Sequence, residues 1–139
     1  MTNRYLTALA TLLAVSGCAS SPTKGTQDVM AQAVNTAPTC TGEADCAEKM
    51  AAACVWIDEK EGLYPVEVCT PTEIRTVQMT GAFSHGFVAI VTPVQVGDDT
   101  YRLDAKFGMQ GFSHAPTFHP GFSKITLQFN EAINAQFAQ

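Results

Sequence analysis

Apolar positions follow three different rules along this chain. From Tyr5 to Val15 they are nearly continuous. From Cys46 they return as Met50, Ala53, Cys54 and Ile57, at i, i+4, i+7, i+8 and i+11. That spacing lays one apolar stripe along a helix. Asp45 is placed to cap it, with Glu48 three residues on in capping-box spacing, and Gly62 marks its stop. After Gly62 the period becomes two. Pro65–Cys69 and Ile74–Met79 predict short strands broken by Thr70-Pro71. Phe87–Val96 predicts a longer strand, and Pro93 inside it calls for an edge position or a bulge. Gly97-Asp98-Asp99 is a turn. Beyond it Tyr101, Leu103, Ala105 and Phe107 alternate with Arg102, Asp104 and Lys106. That is a strand with one buried and one charged face, and it closes a hairpin on its predecessor.

Gly108–Gly121 has no periodicity and carries three Gly and two Pro, so it predicts a loop. In the tail Ile125, Leu127 and Phe129 alternate like a strand. Phe122, Ile125, Phe129, Ala132, Ile133 and Phe137 keep helical spacing over a longer stretch, and the longer pattern predicts a helix with Ser123 as its N-cap. The order of helix, about four mainly antiparallel strands and C-terminal helix gives an α+β fold, a two-layer sandwich.

The first apolar run is a different matter. It follows Arg4, is too short to span a bilayer, and ends in small residues, the anatomy of a secretory signal. Its end, Val15-Ser16-Gly17-Cys18, resembles the lipobox of bacterial lipoproteins. The resemblance implies cleavage before Cys18 and acylation of that residue, with membrane contact through the acyl chains on Cys18. Ala19 after the cysteine resembles an outer-membrane address in a two-membrane bacterium, with the protein facing the periplasm. Residues 1–17 are then a signal peptide. Residues 18–39, rich in Ser, Thr, Pro and Gln, form a lipid-anchored flexible tether with one loose helical turn at Gln27–Val34. Residues 40–139 are the folded domain.

The charge balance removes one class of partner. The chain carries a formal net charge of −5, more negative still without Arg4, and so has no electrostatic footprint for nucleic acid. Cysteine use fits export. Cys18 is spent on lipid, leaving Cys40, Cys46, Cys54 and Cys69 for two disulfides in an oxidising compartment. Gaps of x₅, x₇ and x₁₄ fit a four-thiolate zinc site poorly. Cys46 and Cys54 lie roughly 12 Å apart along one helix, beyond the ~7 Å reach of a disulfide. Of the two remaining arrangements, Cys40–Cys46 with Cys54–Cys69 pins the helix at its entry and ties it to the first strand.

Cys40-x₅-Cys46-x₃-Met50, Trp56-Ile57, Ile74-Arg75-Thr76, Tyr101-Arg102-Leu103-Asp104 and Phe129-Asn130 together resemble a group of small uncharacterised proteobacterial prolipoproteins. Met50 stands where that pattern has Trp. The group's cysteine pair before the last helix is absent, and Cys54 and Cys69 are present instead. The resemblance implies a fold and a location and carries no activity.

Candidate chemistry is sparse. His85, His114 and His119 could supply three metal ligands, the last two from the Gly108–Gly121 loop, but no flanking ligand pattern accompanies them. Ser84-His85 and Ser113-His114 lack a nucleophile elbow. Asp58, Glu59 and Glu61 sit at a helix C-terminus, where the dipole disfavours them, and read as a solvated face. Trp56 falls one residue off the apolar stripe and is placed to rim a surface groove. The expectation is a lipid-anchored, non-enzymatic binding module without cofactor or resident metal, with another envelope protein as a candidate partner. The alternative is a small metal-binding protein or enzyme using the His114/His119 loop.

Overall fold

The computed structural model describes residues 24–77, 86–110, 116–118 and 122–138. Three helices and six strands run in the order α1 (Lys24–Asn35), β1 (Thr39–Thr41), α2 (Gly42–Glu59), β2 (Val66–Cys69), β3 (Ile74–Thr76), β4 (Phe87–Gly97), β5 (Thr100–Gln110), β6 (Pro116–Phe118) and α3 (Ser123–Gln136). All strand pairings are antiparallel, in the order β1-β5-β4-β3-β2, with β6 also on β5. This is the α+β architecture expected from the sequence, with helices packed on one face of the sheet.

The apolar stripe of α2 does what its spacing requires. Cys46, Met50, Ala53, Cys54 and Ile57 are its buried residues. They meet Ala89, Val91, Leu103, Ala105 and Phe107 of the central hairpin, with Phe129 and Ile133 of α3 closing the core. Ile57 is fully buried, and its truncation to Ala would cost about 2–5 kcal/mol. The helix starts earlier than its sequence signals suggested. Thr41 is the N-cap, and Gly42 takes φ +73° to turn the chain out of β1. Asp45 sits inside the helix and its Oδ2 accepts the Thr41 N–H at 2.8 Å. It still satisfies a donor at the helix start, from one turn further in.

Cys40–Cys46 and Cys54–Cys69 are disulfide-bonded, with Cα atoms 4.9 and 6.1 Å apart. Of the two arrangements that helix geometry left open, this is the one expected from the sequence.

Proline and threonine shape the middle of the sheet. β4 is an interior strand, yet the last residue β3 pairs on it is Val91. Pro93 lies beyond that point, where the missing N–H costs no ladder bond. At the other end of β3 the side chain of Thr76 takes over from the backbone. Its hydroxyl accepts the Ala89 N–H at 2.9 Å and donates to the Ala89 C=O at 3.5 Å. Thr76 and Ala89 are both fully buried. Phe87 is met in turn by Gly62 and Tyr64, through N–H···O bonds of 2.9 Å each.

Three elements differ from the sequence expectation. The segment read as a loose turn within a tether is a regular helix, Lys24–Asn35, held by its docking on α3. β5 runs on to Gln110 and β6 occupies Pro116–Phe118, both inside the stretch expected to be loop. β1 and β6 are three residues each, too short to show a period, and exist because β5 offers them an edge. The tail is helical, but Phe122 is the N-cap and Ser123 the first helical residue.

Candidate functional site

β1 and β6 both pair with the same edge of β5, end to end. β1 covers Thr100, Tyr101 and Arg102, and β6 covers Gly108, Met109 and Gln110. Between them five residues, Leu103–Phe107, have no strand beside them among the described residues. The Leu103 N–H points to this outer edge and donates to the Pro38 C=O at 2.8 Å. Peptide groups alternate between the two edges of an antiparallel strand. Ala105, two residues on, therefore turns its N–H and C=O to the same outer edge of β5. Pro38 has no N–H to return to Leu103, which stops the β1 pairing there.

A crevice of about 290 Å³ lies over this stretch. Its floor is the β5 edge. Its walls are Met30, Ala33, Val34 and Ala37 from α1 and its exit, and Thr126 and Asn130 from α3. The walls are mostly apolar. Val34 stands at 53% exposure, so the mouth is open to solvent.

Asn130 organises the α1–α3 contact. Its Nδ2 donates to the Ala33 C=O at 2.7 Å and to Thr36 Oγ1 at 3.2 Å. The Thr36 hydroxyl has already given its proton to the Gln32 C=O at 2.8 Å, so it can only accept from Asn130. Both partners of Nδ2 are acceptors, which fixes the orientation of the amide. Among the described residues its Oδ1 then has no donor, although the residue is only 1% exposed. Asn134 adds a clip from its Nδ2 to the Thr36 C=O at 2.8 Å. A buried acceptor without a donor costs about 1–3 kcal/mol, and here it stands in the wall of the crevice.

A second depression, about 360 Å³, lies between α2 and α3 around Val55, Trp56 and Phe137. Trp56 does rim a groove, as its position off the stripe suggested. However, Trp56 packs edge-on against Phe129 and Phe107, at 5.5 and 6.2 Å. Lys60 Nζ lies 5.4 Å from the Trp56 ring and Lys49 Nζ 5.5 Å from the Phe137 ring. The protein's own cations already use these rings, so this depression has a structural account.

The remaining candidates from the sequence separate cleanly. Cys18, His85, His114 and His119 lie outside the described residues, as do Ser84 and Ser113. Among the described residues no group of three His, Cys, Asp or Glu is arranged to hold a metal, and no helix is long and apolar enough to cross a membrane. Of the acidic cluster, Asp58 accepts the Val66 N–H at 3.2 Å, a joint between α2 and β2. Asp45 has its carboxyl held below the ordinary value of 3.8, first by the Thr41 N–H and then, against a small desolvation penalty, by Lys49. Sequence reasoning missed the crevice. The crevice residues that the motifs had flagged are Arg102, Leu103 and Asp104, from Tyr101-Arg102-Leu103-Asp104, and Asn130, from Phe129-Asn130. No family model, curated protein or solved structure matches this chain.

Proposed function

We propose that this chain is a lipid-anchored envelope protein that works by binding, and that it holds its partner in the crevice between α1, β5 and α3. The observation that carries the reading is the crevice itself, with Met30, Ala33 and Val34 as apolar walls, the Asn130 carboxamide among its lining and a mouth open to solvent at Val34. Apolar walls with a carboxamide among them hold and orient a ligand, which is chemistry suited to recognition. The lipid-anchor part rests on Val15-Ser16-Gly17-Cys18. Acyl chains contribute about 0.8 kcal/mol per buried methylene, and two or more give stable anchoring.

A photo-crosslinking residue in place of Val34, in the native envelope, tests both parts. It should yield a discrete adduct. The same probe in place of Val96, exposed at the far end of β4, should not. Cys18→Ala should remove the protein from the membrane fraction in its mature form. Equal adducts from both positions, or none from Val34, would refute the crevice as the binding site. Normal processing and detergent-phase partitioning of the Cys18→Ala protein would refute the anchor.

A further inference from the structure

Resting on the reading of the crevice as a binding site, we infer that its ligand is a single-chain amphiphile with an anionic head, a fatty acid of about ten carbons, whose carboxylate pairs with Arg102. The lining divides into two parts that such a molecule needs together. Met30, Ala33, Val34 and Ala37 from α1 and its exit, and Leu103 and Phe107 from β5, are apolar. Arg102, Asp104 and Lys106 bring charge to the same crevice. Asp104 Oδ2 and Lys106 Nζ meet at 3.4 Å and offset each other. Arg102 is half-buried and, among the described residues, takes part in no salt bridge. The described lining is therefore largely apolar, with one positive charge in excess.

Each part selects for a feature of the ligand. A guanidinium holds a carboxylate through two parallel N–H···O bonds. Beside apolar walls those bonds are electrostatically stronger than in open water. Methylenes gain by leaving water for the same walls, about fourfold in affinity for each one fully buried. Size sets the length of the chain. A cavity of about 150 Å³ holds a six-carbon ring, so a crevice of about 290 Å³ takes roughly ten to twelve carbons. The mouth at Val34, 53% exposed, is wide enough in solvent to admit it.

Other amphiphiles fit one part and not the other. A two-chain phospholipid has more apolar volume than the crevice and would leave a chain in water. A cationic amphiphile sets like charge against Arg102. A neutral alcohol of the same length fills the apolar space and leaves the half-buried guanidinium without a counter-charge.

The test uses the whole mature protein in phosphatidylcholine nanodiscs, with its methionine methyls ¹³C-labelled and sodium decanoate as the probe. Met30 lines the crevice, whereas Met50 lies in the core on α2, 1% exposed. Decanoate should shift the Met30 methyl saturably and leave Met50 unmoved. Octanoate, two methylenes shorter, should bind about fifteenfold more weakly. Decyltrimethylammonium, with the same chain and the opposite charge, should bind weaker by about tenfold or more. Arg102→Gln should weaken decanoate about tenfold, the worth of a charged hydrogen bond, and leave the decyl cation no weaker than before. An unchanged Met50 resonance shows that this variant is folded. Val34→Trp, which narrows the mouth from an exposed position, should abolish the Met30 shift, and an undiminished shift there overturns the inference. Equal affinities for anion and cation, or an unchanged decanoate affinity in Arg102→Gln, overturn it by reducing recognition to apolar burial. A Met30 shift that rises without saturating reports only entry of decanoate into the bilayer, and overturns it too. No shift at Met30, with the Val34 crosslink in the envelope intact, overturns the fatty-acid ligand and leaves the binding-module reading standing.

Discussion

Thr76 offers the sharpest check on how this sheet is held together. Its hydroxyl replaces a ladder bond at Ala89, accepting from the N–H at 2.9 Å and giving its proton to the C=O at 3.5 Å. Both residues are fully buried, so water cannot take over either bond. Thr76→Val keeps the shape and removes the hydroxyl. The Ala89 N–H is then a buried donor with no acceptor, which costs about 1–3 kcal/mol. The 3.5 Å bond is long and adds little, because hydrogen bonds weaken well before that distance. A loss near 2 kcal/mol is the expectation. For a domain of this size that lowers Tm by roughly 8–16 °C, at 4–8 °C per kcal/mol. Thr76→Ser keeps the hydroxyl and loses one methyl, worth about 1 kcal/mol in a core. Thermal and urea unfolding of the oxidised protein measures both. Valine should be the worse substitution. If Thr76→Val unfolds within about 0.5 kcal/mol of wild type, or if serine is the more damaging of the two, the Ala89 contact does not carry the weight assigned to it.

Gly86→Ala should destabilise the protein by about 1–3 kcal/mol, because a Cβ there would run into the Tyr64 ring, whose hydroxyl accepts the Gly86 N–H at 3.0 Å; chemical denaturation reads the loss, and a neutral result would show that Tyr64 gives way freely. Replacing Cys54 and Cys69 together by Ser opens a loop with a sequence separation of 15 and should cost about 3 kcal/mol by chain entropy, whereas a Cys40–Cys54 peptide in a non-reduced digest would refute the pairing itself. Asp45, whose folded pKa is depressed, contributes stability that is present above the ordinary carboxylate value of 3.8 and is lost as pH falls through its lower folded value. A carboxyl-detected NMR titration should therefore place its midpoint below 3.8, and Thr41→Pro, which removes the N–H that chiefly causes the shift, should move that midpoint back up.

Local periodicity was enough to settle much of this protein. The stripe from Cys46 to Ile57 names the buried face of α2 residue for residue, because a helix that docks once must put its apolar positions at i, i+4 and i+7. The β4–β5 hairpin was legible for the same reason at period two, and Pro93 marks the part of β4 that β3 does not reach. The rise of the helix between Cys46 and Cys54 excluded one of the three disulfide arrangements, and pinning the helix entry and tying the helix to the first strand chose between the other two. What the sequence could not show were the elements that depend on a neighbour. β1 and β6 are too short to have a pattern of their own and are strands only because β5 has an edge to share. α1 is polar, with Ala33 its one buried residue. It is held on α3 by Asn130 and Asn134, which lie 97 and 98 residues from their acceptors in α1 and its exit. The crevice follows from these same elements, since α1 and α3 wall the stretch of β5 between Arg102, where the β1 pairing ends, and Gly108, where the β6 pairing begins. No local pattern encodes a crevice between elements that are themselves tertiary in origin, and so the candidate site became visible only when the chain was folded.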